Sequence, residues 1–392
     1  MSRFNASLLF FALVVTVSPA FSADPPPGTT PQEDIDPATG LARTTIVRPL
    51  NDAPAVPEPR RPATPALPPA PSRPHIALIL PTSSASLGKV ADAVRQGFMA
   101  AAEVGGKRAL PVHVTAIDNE GAALLDACRS AQATGARLVV GGLTRDGAHS
   151  LAASDCPRQP VLTLNEPRGD LLPTVYSISL SLEQEARQAA LQAVADGWRS
   201  AIVIHTPSAL SRRVEEAFER EWMRAAGQVR RILFTGTPDE AGAIRERIAG
   251  MAADMVFIAL DASESLAVRP YITAMLPVYA TSFSVNPRAE VLVNADLQGV
   301  RYGEMPWFAQ PDHPAVMVYP QPKTPMPVEL ERLYALGIDA YRLSLLLLEG
   351  SKPPPLDGVT GRITLEGANQ FTRAPVPAEI DGGRILPMRA AQ

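Results

Sequence analysis

HIALIL (75–80), closed by Pro81, is the stretch on which the reading of the fold turns. After His75 it is apolar without alternation. That is what a parallel strand covered on both faces requires; a half-exposed strand would alternate apolar with polar. The residues after it keep to a rhythm. A polar loop (82–87) leads into helical spacing over 88–103, through Val90, Val94, Phe98 and Ala101. VHVTAID (112–118), RLVVGG (137–142) and PVLTLN (160–165) read as three further strands, with helices at 121–133 and 148–152 between them.

A second array follows. Helical segments at 182–196, 212–226, 238–251 and 262–271 alternate with the strands SAIVIH (200–205), RRILFTG (230–236), DMVFIAL (254–260) and PVYATS (277–282). Each array has the alternation of a doubly wound parallel sheet, and neither is a sequence repeat of the other. The end breaks the rhythm. GVRYGEMPWF (299–308) reads as a strand running into a crossing segment. The helix expected at 328–349 ends in LSLLLLE, apolar all round and therefore buried. GVTGRITL (358–365) reads as a last core strand and GRILPM (383–388) as a short closing one. A helix and strand that return after two arrays imply that the chain crosses between lobes more than once. The expectation is an α/β, bilobed, type I periplasmic-binding-protein-like fold, with two doubly wound parallel sheets and multiple inter-lobe crossings. Lobe 1 is expected at about 75–177 and 310–365, lobe 2 at about 178–309 and 366–392.

Two segments of different character precede this body. Residues 1–22 read as a signal peptide: Arg3, an uncharged apolar run over 6–17, a break at Ser18-Pro19, and small residues Ala20 and Ser22 at the cleavage spacing. The run is shorter than the roughly 20 residues a membrane-spanning helix needs, so no span is expected in the mature form. An uncleaved signal anchor is the alternative. No cysteine lies near that site to carry a lipid, and the expected location is the periplasm. Residues 23–74 contain PPP, PEPRRP and PALPPAPSRP and lack any apolar period, the composition of a proline-rich disordered tether. A tether of this kind serves reach, or is a passive spacer.

Formal net charge is −4 and the isoelectric point about 5.8, with no clustered basic run, so no nucleic-acid partner is expected. There is no GxSxG, HExxH or CxxC. LGKV (87–90) lacks the remainder of a phosphate loop. His75, His113, His149, His205 and His313 are scattered without metal-ligand spacing. Neither an enzyme nor a cofactor or metal is expected. In open α/β sheets ligands sit beyond the carboxyl ends of the strands. The residues there are Ser83, Ser84, Thr144, Arg145, Glu166, Ser208 and Asp261, the candidate lining of a cleft between lobes. Arg145 could serve an anion or stand as a solvated surface arginine. Cys128 and Cys156, an even pair in an exported chain, could bridge or remain as two thiols.

Several blocks then occur in a telling order: TLNEPR (163–168), YSISLSLEQEARQAA (176–190), SRRVEEAFEREWMRAAG (211–227), ADMVFIAL (253–260), GVRYGEMPW (299–307), RLYALGIDAYRL (332–343) and GVTGRITL (358–365). Together they resemble the C-terminal domain of the outer-membrane lipoproteins that activate class A penicillin-binding proteins, over nearly all of 75–392. The resemblance implies the type I periplasmic-binding-protein fold, docking onto a bifunctional peptidoglycan synthase, and stimulation of wall synthesis without enzymatic activity of its own. The chain departs from that family in lacking its helical-repeat N-terminal domain and lipid-attachment cysteine. A regulator of this kind should have a narrow or shut cleft and a partner-docking outer surface. Trp307 and Phe308 are candidates for that surface, the alternative being a buried lobe-crossing strand. The other function considered is a periplasmic solute-binding receptor for an amino acid or similar small-molecule anion, with an open, hydroxyl-lined cleft.

Overall fold

A computed structural model describes residues 32–35, 42–45 and 73–388, apart from 107–109, 170–171, 226, 351 and 368. The chain separates into two compact units, Met1–Ala66 and Leu67–Gln392. In the first, β1 (Gln32–Ile35) and β2 (Ala42–Thr45) pair antiparallel, a ladder not expected from the proline-rich sequence. The expected signal segment and most of the expected tether lie outside the described residues.

The second unit opens as a βα array: β3 (His75–Leu80), α1 (Gly88–Gly105), β4 (Val112–Ala116), α2 (Ala122–Ala133), β5 (Ala136–Gly141), α3 (Arg145–Ala152), β6 (Val161–Thr163) and β7 (Val175–Ser177). A second array follows: α4 (Leu182–Ala195), β8 (Ser200–His205), α5 (Ala209–Ala225), β9 (Gln228–Leu233), α6 (Pro238–Ala249), β10 (Met255–Ala259), α7 (Ala262–Val268), β11 (Val278–Ala280), α8 (Val291–Asn294) and β12 (Val300–Glu304). The chain closes with α9 (Pro306–Ala309), α10 (Pro314–Met317), α11 (Val328–Glu349), β13 (Leu356–Asp357), β14 (Arg362–Glu366), β15 (Gln370–Ala374), β16 (Val376–Asp381) and β17 (Arg384–Pro387).

These strands form two sheets. One has the order β13-β14-β15-β7-β6-β5-β3-β4, the other β17-β16-β12-β11-β10-β8-β9. β3 is buried along its whole length because parallel neighbours flank it on both sides, as its unbroken apolar run requires. β4 and β9, at the sheet edges, expose most of their side chains. Both sheets are parallel at their centres and add antiparallel strands at one edge, β13–β14–β15 in the first lobe and β12–β16–β17 in the second.

The chain passes between lobes three times: after β7, after β12, and between β15 and β16. The last passage corrects the expected boundary at 366. β15 pairs with β14 and, at Gln370–Ser177, with β7, so lobe 1 keeps the chain until Pro375. β7, β15 and β16 have no counterparts among the expected strands, being short or lacking a continuous apolar run.

The long helix α11 returns to lobe 1 and packs against α1. Gly97 and Gly337 make this possible: a Cβ at Gly97 would overlap the Tyr334 carbonyl, and one at Gly337 the Val94 carbonyl. The seam is filled by Val94, Phe98, Tyr334, Ile338 and Tyr341, all buried, with Phe98 and Tyr341 edge to face at 5.3 Å between centroids. In lobe 2, Phe218 of α5 stacks on Phe257 of β10 at 4.0 Å. A disulfide joins Cys128 of α2 to Cys156 ahead of β6, both sulfurs buried in the lobe 1 core.

Candidate functional site

The carboxyl ends of the central strands of both sheets face a cleft between the lobes. One cavity there measures about 560 Å³ and is lined from lobe 1 by Leu333 and Arg332 of α11 and from lobe 2 by Asp261, Ser263, Ser282 and Asn286, among others. A smaller cavity of about 250 Å³ lies beside it, between Leu143, Asn165 and Leu336 on one side and Leu210 and Arg213 on the other.

What decides the chemistry of this cleft is how its donors are already used. At three places, helix N-terminal or turn amides that could receive an anion hold carboxylates of the chain itself. At α3, Leu143 N and Thr144 N each donate to Glu120 at 2.7 Å, and Thr144 Oγ1 donates to the same carboxylate at 2.6 Å. Thr144 Oγ1 meanwhile accepts from Gly147 N, capping the helix. Ser282 N donates to Glu185 at 2.9 Å. At α7, Asp261 accepts from Glu264 N while Glu264 accepts from Asp261 N, a closed capping box. A helix N-terminus is a ready anion site only while its amides are free; here Glu120 fills that of α3.

The cationic groups are spent in the same way. Arg332 donates to both Glu304 oxygens, at 2.6 and 3.0 Å, and to the Ser282 carbonyl. Glu304 has no exposed side-chain surface. Burial alone would push the Arg332 guanidinium down, but the charge and hydrogen bonds of Glu304 carry it above its ordinary value. Tyr302, packed against this pair, is pushed up by its burial and by the Glu304 charge. Arg373 of β15 is buried and donates to the Ser179 and Thr360 carbonyls, with Glu185 at 3.4 Å. Burial pulls its guanidinium down, against the attraction of Glu185.

These pairs join the lobes. Arg332 reaches from α11 to the end of β12, Arg373 from β15 to α4, and Arg288 of lobe 2 to Glu331 of α11, which also accepts from Trp307 Nε1. At the cleft mouth Glu183, opening α4, takes Arg145 of α3 at 2.6 Å and Arg213 of α5 at 3.0 Å. Burial raises the Glu183 carboxyl, but the hydrogen bond from Arg145 and the charges of both arginines outweigh it and hold the carboxyl below its ordinary value.

The sequence-derived candidates do not converge on one cavity. Asp261 lines the large one. Arg145 and Glu166 line a separate groove at the mouth, Glu166 accepting from Ser179 Oγ. Ser84 accepts from Leu87 N within the loop after β3, beside an exposed Ser83. Ser208 accepts from Ser211 N at the start of α5. Thr144 is turned to Glu120.

The docking patch expected at Trp307 is corrected: that side chain is 1 % exposed and packs on Tyr334 in the lobe 1 core. Phe308 beside it is half-buried, with Arg288 and Arg332 over its ring at 5.1 and 5.0 Å. Among the described residues no cluster of three or more metal-ligating side chains occurs, and no helix is long and apolar enough to cross a membrane.

Glu120, Glu185, Glu304, Arg332 and Arg373 escaped the sequence reading. Their one signal is a charge set in an apolar block, as with Glu304 in GVRYGEMPW and Arg332 at the head of RLYALGIDAYRL.

Comparison with known proteins follows the same body. A family model described as "LppC putative lipoprotein" matches residues 71–249 and 245–374. A penicillin-binding protein activator LpoA from Photobacterium profundum is 25% identical over 331 residues, covering 74% of this chain and 53% of the relative. The LpoA of Haemophilus influenzae is 26% identical over 329 residues, covering 80% and 55%. The chain thus spans about half the length of these curated relatives. Among solved structures, one from Chromobacterium violaceum described as a "putative branched-chain amino acid ABC transporter" superposes with a TM-score of 0.68 at 36% identity, over 78% of this chain and all of that one. The C-domain of H. influenzae LpoA, described as a regulator of PBP1A, gives 0.65 at 22% identity, over 80% of this chain and all of that domain, a likeness of fold.

Proposed function

Since this chain belongs to the LppC lipoprotein family, we propose that it is a non-enzymatic regulator in the cell envelope, which binds a class A penicillin-binding protein in the periplasm and stimulates its peptidoglycan synthesis. The observation that carries the reading is the self-occupied cleft. Glu120, Glu185 and Glu264 hold the amides a carboxylate ligand would need, and Glu304 holds the central arginine. Breaking such pairs to admit a solute would strand buried charge, which costs several kcal/mol. A body whose lobes are tied in this way suits docking as a rigid unit. Residues 23–74, with their proline-rich composition, fit a spacer between the exported end and this body, and 75–392 the docking domain.

The test is the affinity of the purified full chain for the periplasmic part of a class A penicillin-binding protein from the same organism, with glycan polymerisation and crosslinking rates read alongside. Saturable binding with faster synthesis is the expected result. A second reading, a solute receptor, has the description of the C. violaceum structure and the 560 Å³ cavity in its favour. Absence of synthase binding at tens of micromolar, together with a thermal shift on adding a branched-chain amino acid, would favour it instead.

A further inference from the structure

We propose that the arginine-lined groove at the mouth of the cleft is where this protein grips an acidic segment of its protein partner, an inference that rests on the regulator reading above. The groove has a volume of about 400 Å³. Arg145 and Arg168 enter it from lobe 1, Arg187 from α4, and Arg213 and Arg220 from α5. Against these five arginines stand Glu166, Glu183 and Glu216 in the lining and Asp146 on Arg168, a local excess of one positive charge in a chain whose formal net charge is −4.

The excess has a definite location. Glu183 is shared between Arg145 and Arg213, so one carboxylate serves two guanidinium groups. Arg168 meets Asp146 in an exposed pair, of a kind that adds little stability. Arg187 and Arg220, like Glu216 on α5, have no hydrogen-bond or ion-pair partner among the described residues, while Arg145, Arg168 and Arg213 are each paired. Two forked donor groups are therefore open to bidentate carboxylate contacts, the geometry arginine provides and lysine does not.

The surroundings separate a polypeptide from other anions. One turn beyond Arg187 on α4 is Leu191, 50% exposed, and three residues beyond Arg220 on α5 is Met223, 55% exposed. Residues three and four apart share a helix face, so each open arginine has an apolar neighbour. A segment with carboxylates and an apolar side chain or two satisfies both; wall glycan, with carboxylates on small-residue stems, satisfies only the charge. The groove also draws on both lobes, so its occupant would bridge them and add to the ties formed by Glu183.

The test uses the full chain carrying Arg187→Glu with Arg220→Glu. Neither side chain has a partner to lose, and the only new cost is like charge four residues from Glu183 and from Glu216, so the melting temperature should fall by no more than about 2 °C. Arg137→Glu with Arg384→Glu, on exposed strand positions outside the groove, supplies the same charge change as a control. Surface plasmon resonance against the periplasmic part of the synthase, from ~50 to ~300 mM salt, reads the effect, and sedimentation with purified peptidoglycan reads the competing one. The groove reversal should weaken synthase binding roughly tenfold or more and flatten its salt dependence, while the control changes it by less than about twofold. Unchanged affinity in the groove variant, an equal loss in the control, or a loss confined to peptidoglycan sedimentation would overturn the proposal. Failure of the wild-type chain to bind the synthase would instead remove the regulator reading, and the groove's partner with it.

Discussion

Replacing Arg332 by leucine would expose how much the lobe junction depends on one ion pair. Arg332 lies 12% exposed against a Glu304 with no exposed side-chain surface, in a two-point contact at 2.6 and 3.0 Å. Removing one member of a buried pair typically costs about 3–5 kcal/mol, because the remaining charge has lost both water and partner. Two donors stay with Glu304, Met305 N at 2.8 Å and Tyr302 OH at 3.3 Å, which argues for the lower end. The loss of Arg332 from the face of Phe308 adds back about 0.5–1 kcal/mol. The expected destabilisation is therefore about 3–4 kcal/mol. With a urea slope of about 3 kcal/mol per molar, suited to a chain of this size, the unfolding midpoint should fall by about 1 M. Replacing Arg332 and Glu304 together with leucine should recover most of that, since apolar pairs of similar volume replace buried ion pairs with little net loss. Urea titration followed by circular dichroism on the three proteins reads both numbers. A midpoint shift below about 0.3 M for the single variant, or a double variant no more stable than the single, would refute the reasoning.

Other perturbations follow from the same structure. Gly97→Ala forces a methyl into the Tyr334 carbonyl across the α1–α11 seam; a loss of 3 kcal/mol or more is expected, above the ~1–3 typical of overpacking because backbone must move, and thermal denaturation checks it. Replacing Cys128 and Cys156 by alanine opens a crosslink of sequence separation 28 and should cost about 3–4 kcal/mol on loop entropy, read as a lower melting temperature that reducing agent no longer changes. Glu120→Ala frees the amides of Leu143 and Thr144; the variant, but not wild type, should gain melting temperature with added acetate, and no gain would show that this N-terminus has no use for an anion. The Glu183 carboxyl is held below its ordinary value, so its contribution is complete above the unfolded carboxyl pKa of about 4.3 and disappears as pH falls through the lower folded value. Glu183→Gln should therefore flatten the fall of stability between pH 5 and pH 3, measured by urea midpoints across that range.

The alternation of the two arrays was legible because parallel strands must be apolar on both faces, and HIALIL, SAIVIH and DMVFIAL are. The third lobe crossing was not. GVTGRITL contains a turn at its start and a strand only from Arg362, and the next strands, QFTRA and VPAEID, mix polar and apolar residues because they lie toward the antiparallel edges. Which loops meet at the cleft was legible, since the topology fixes it. What the candidate residues on them do was not, because it depends on partners far away in sequence. Thr144 is separated from Glu120 by 24 positions and Arg332 from Glu304 by 28. A hydroxyl after a strand reads the same whether it waits for a ligand or caps a helix. Trp307 shows the opposite difficulty: an aromatic beside a proline reads either as an anchor or as a buried crossing residue, and only the packing of α9 against Tyr334 and Glu331 of α11 decides for the core.

A fold built to close on small solutes can be turned into a docking body by supplying the solute's contacts from within. Each internal carboxylate in this cleft does two things at once. It satisfies donors that would otherwise favour a ligand, and, where its partner belongs to the other lobe, it removes the free energy gap that ligand-driven closure exploits. A hinge moves only as far as differential binding can shift it, and with Glu304, Glu185, Glu331 and Glu183 bonded across the junction, a small solute has little left to gain. On the proposed reading the recognition chemistry lies further out, at arginines that no internal carboxylate satisfies. That Arg187 and Arg220 stand at the mouth of the cleft, on the same two helices that Glu183 ties to lobe 1, is the arrangement expected if the partner reads the joined lobes as one surface.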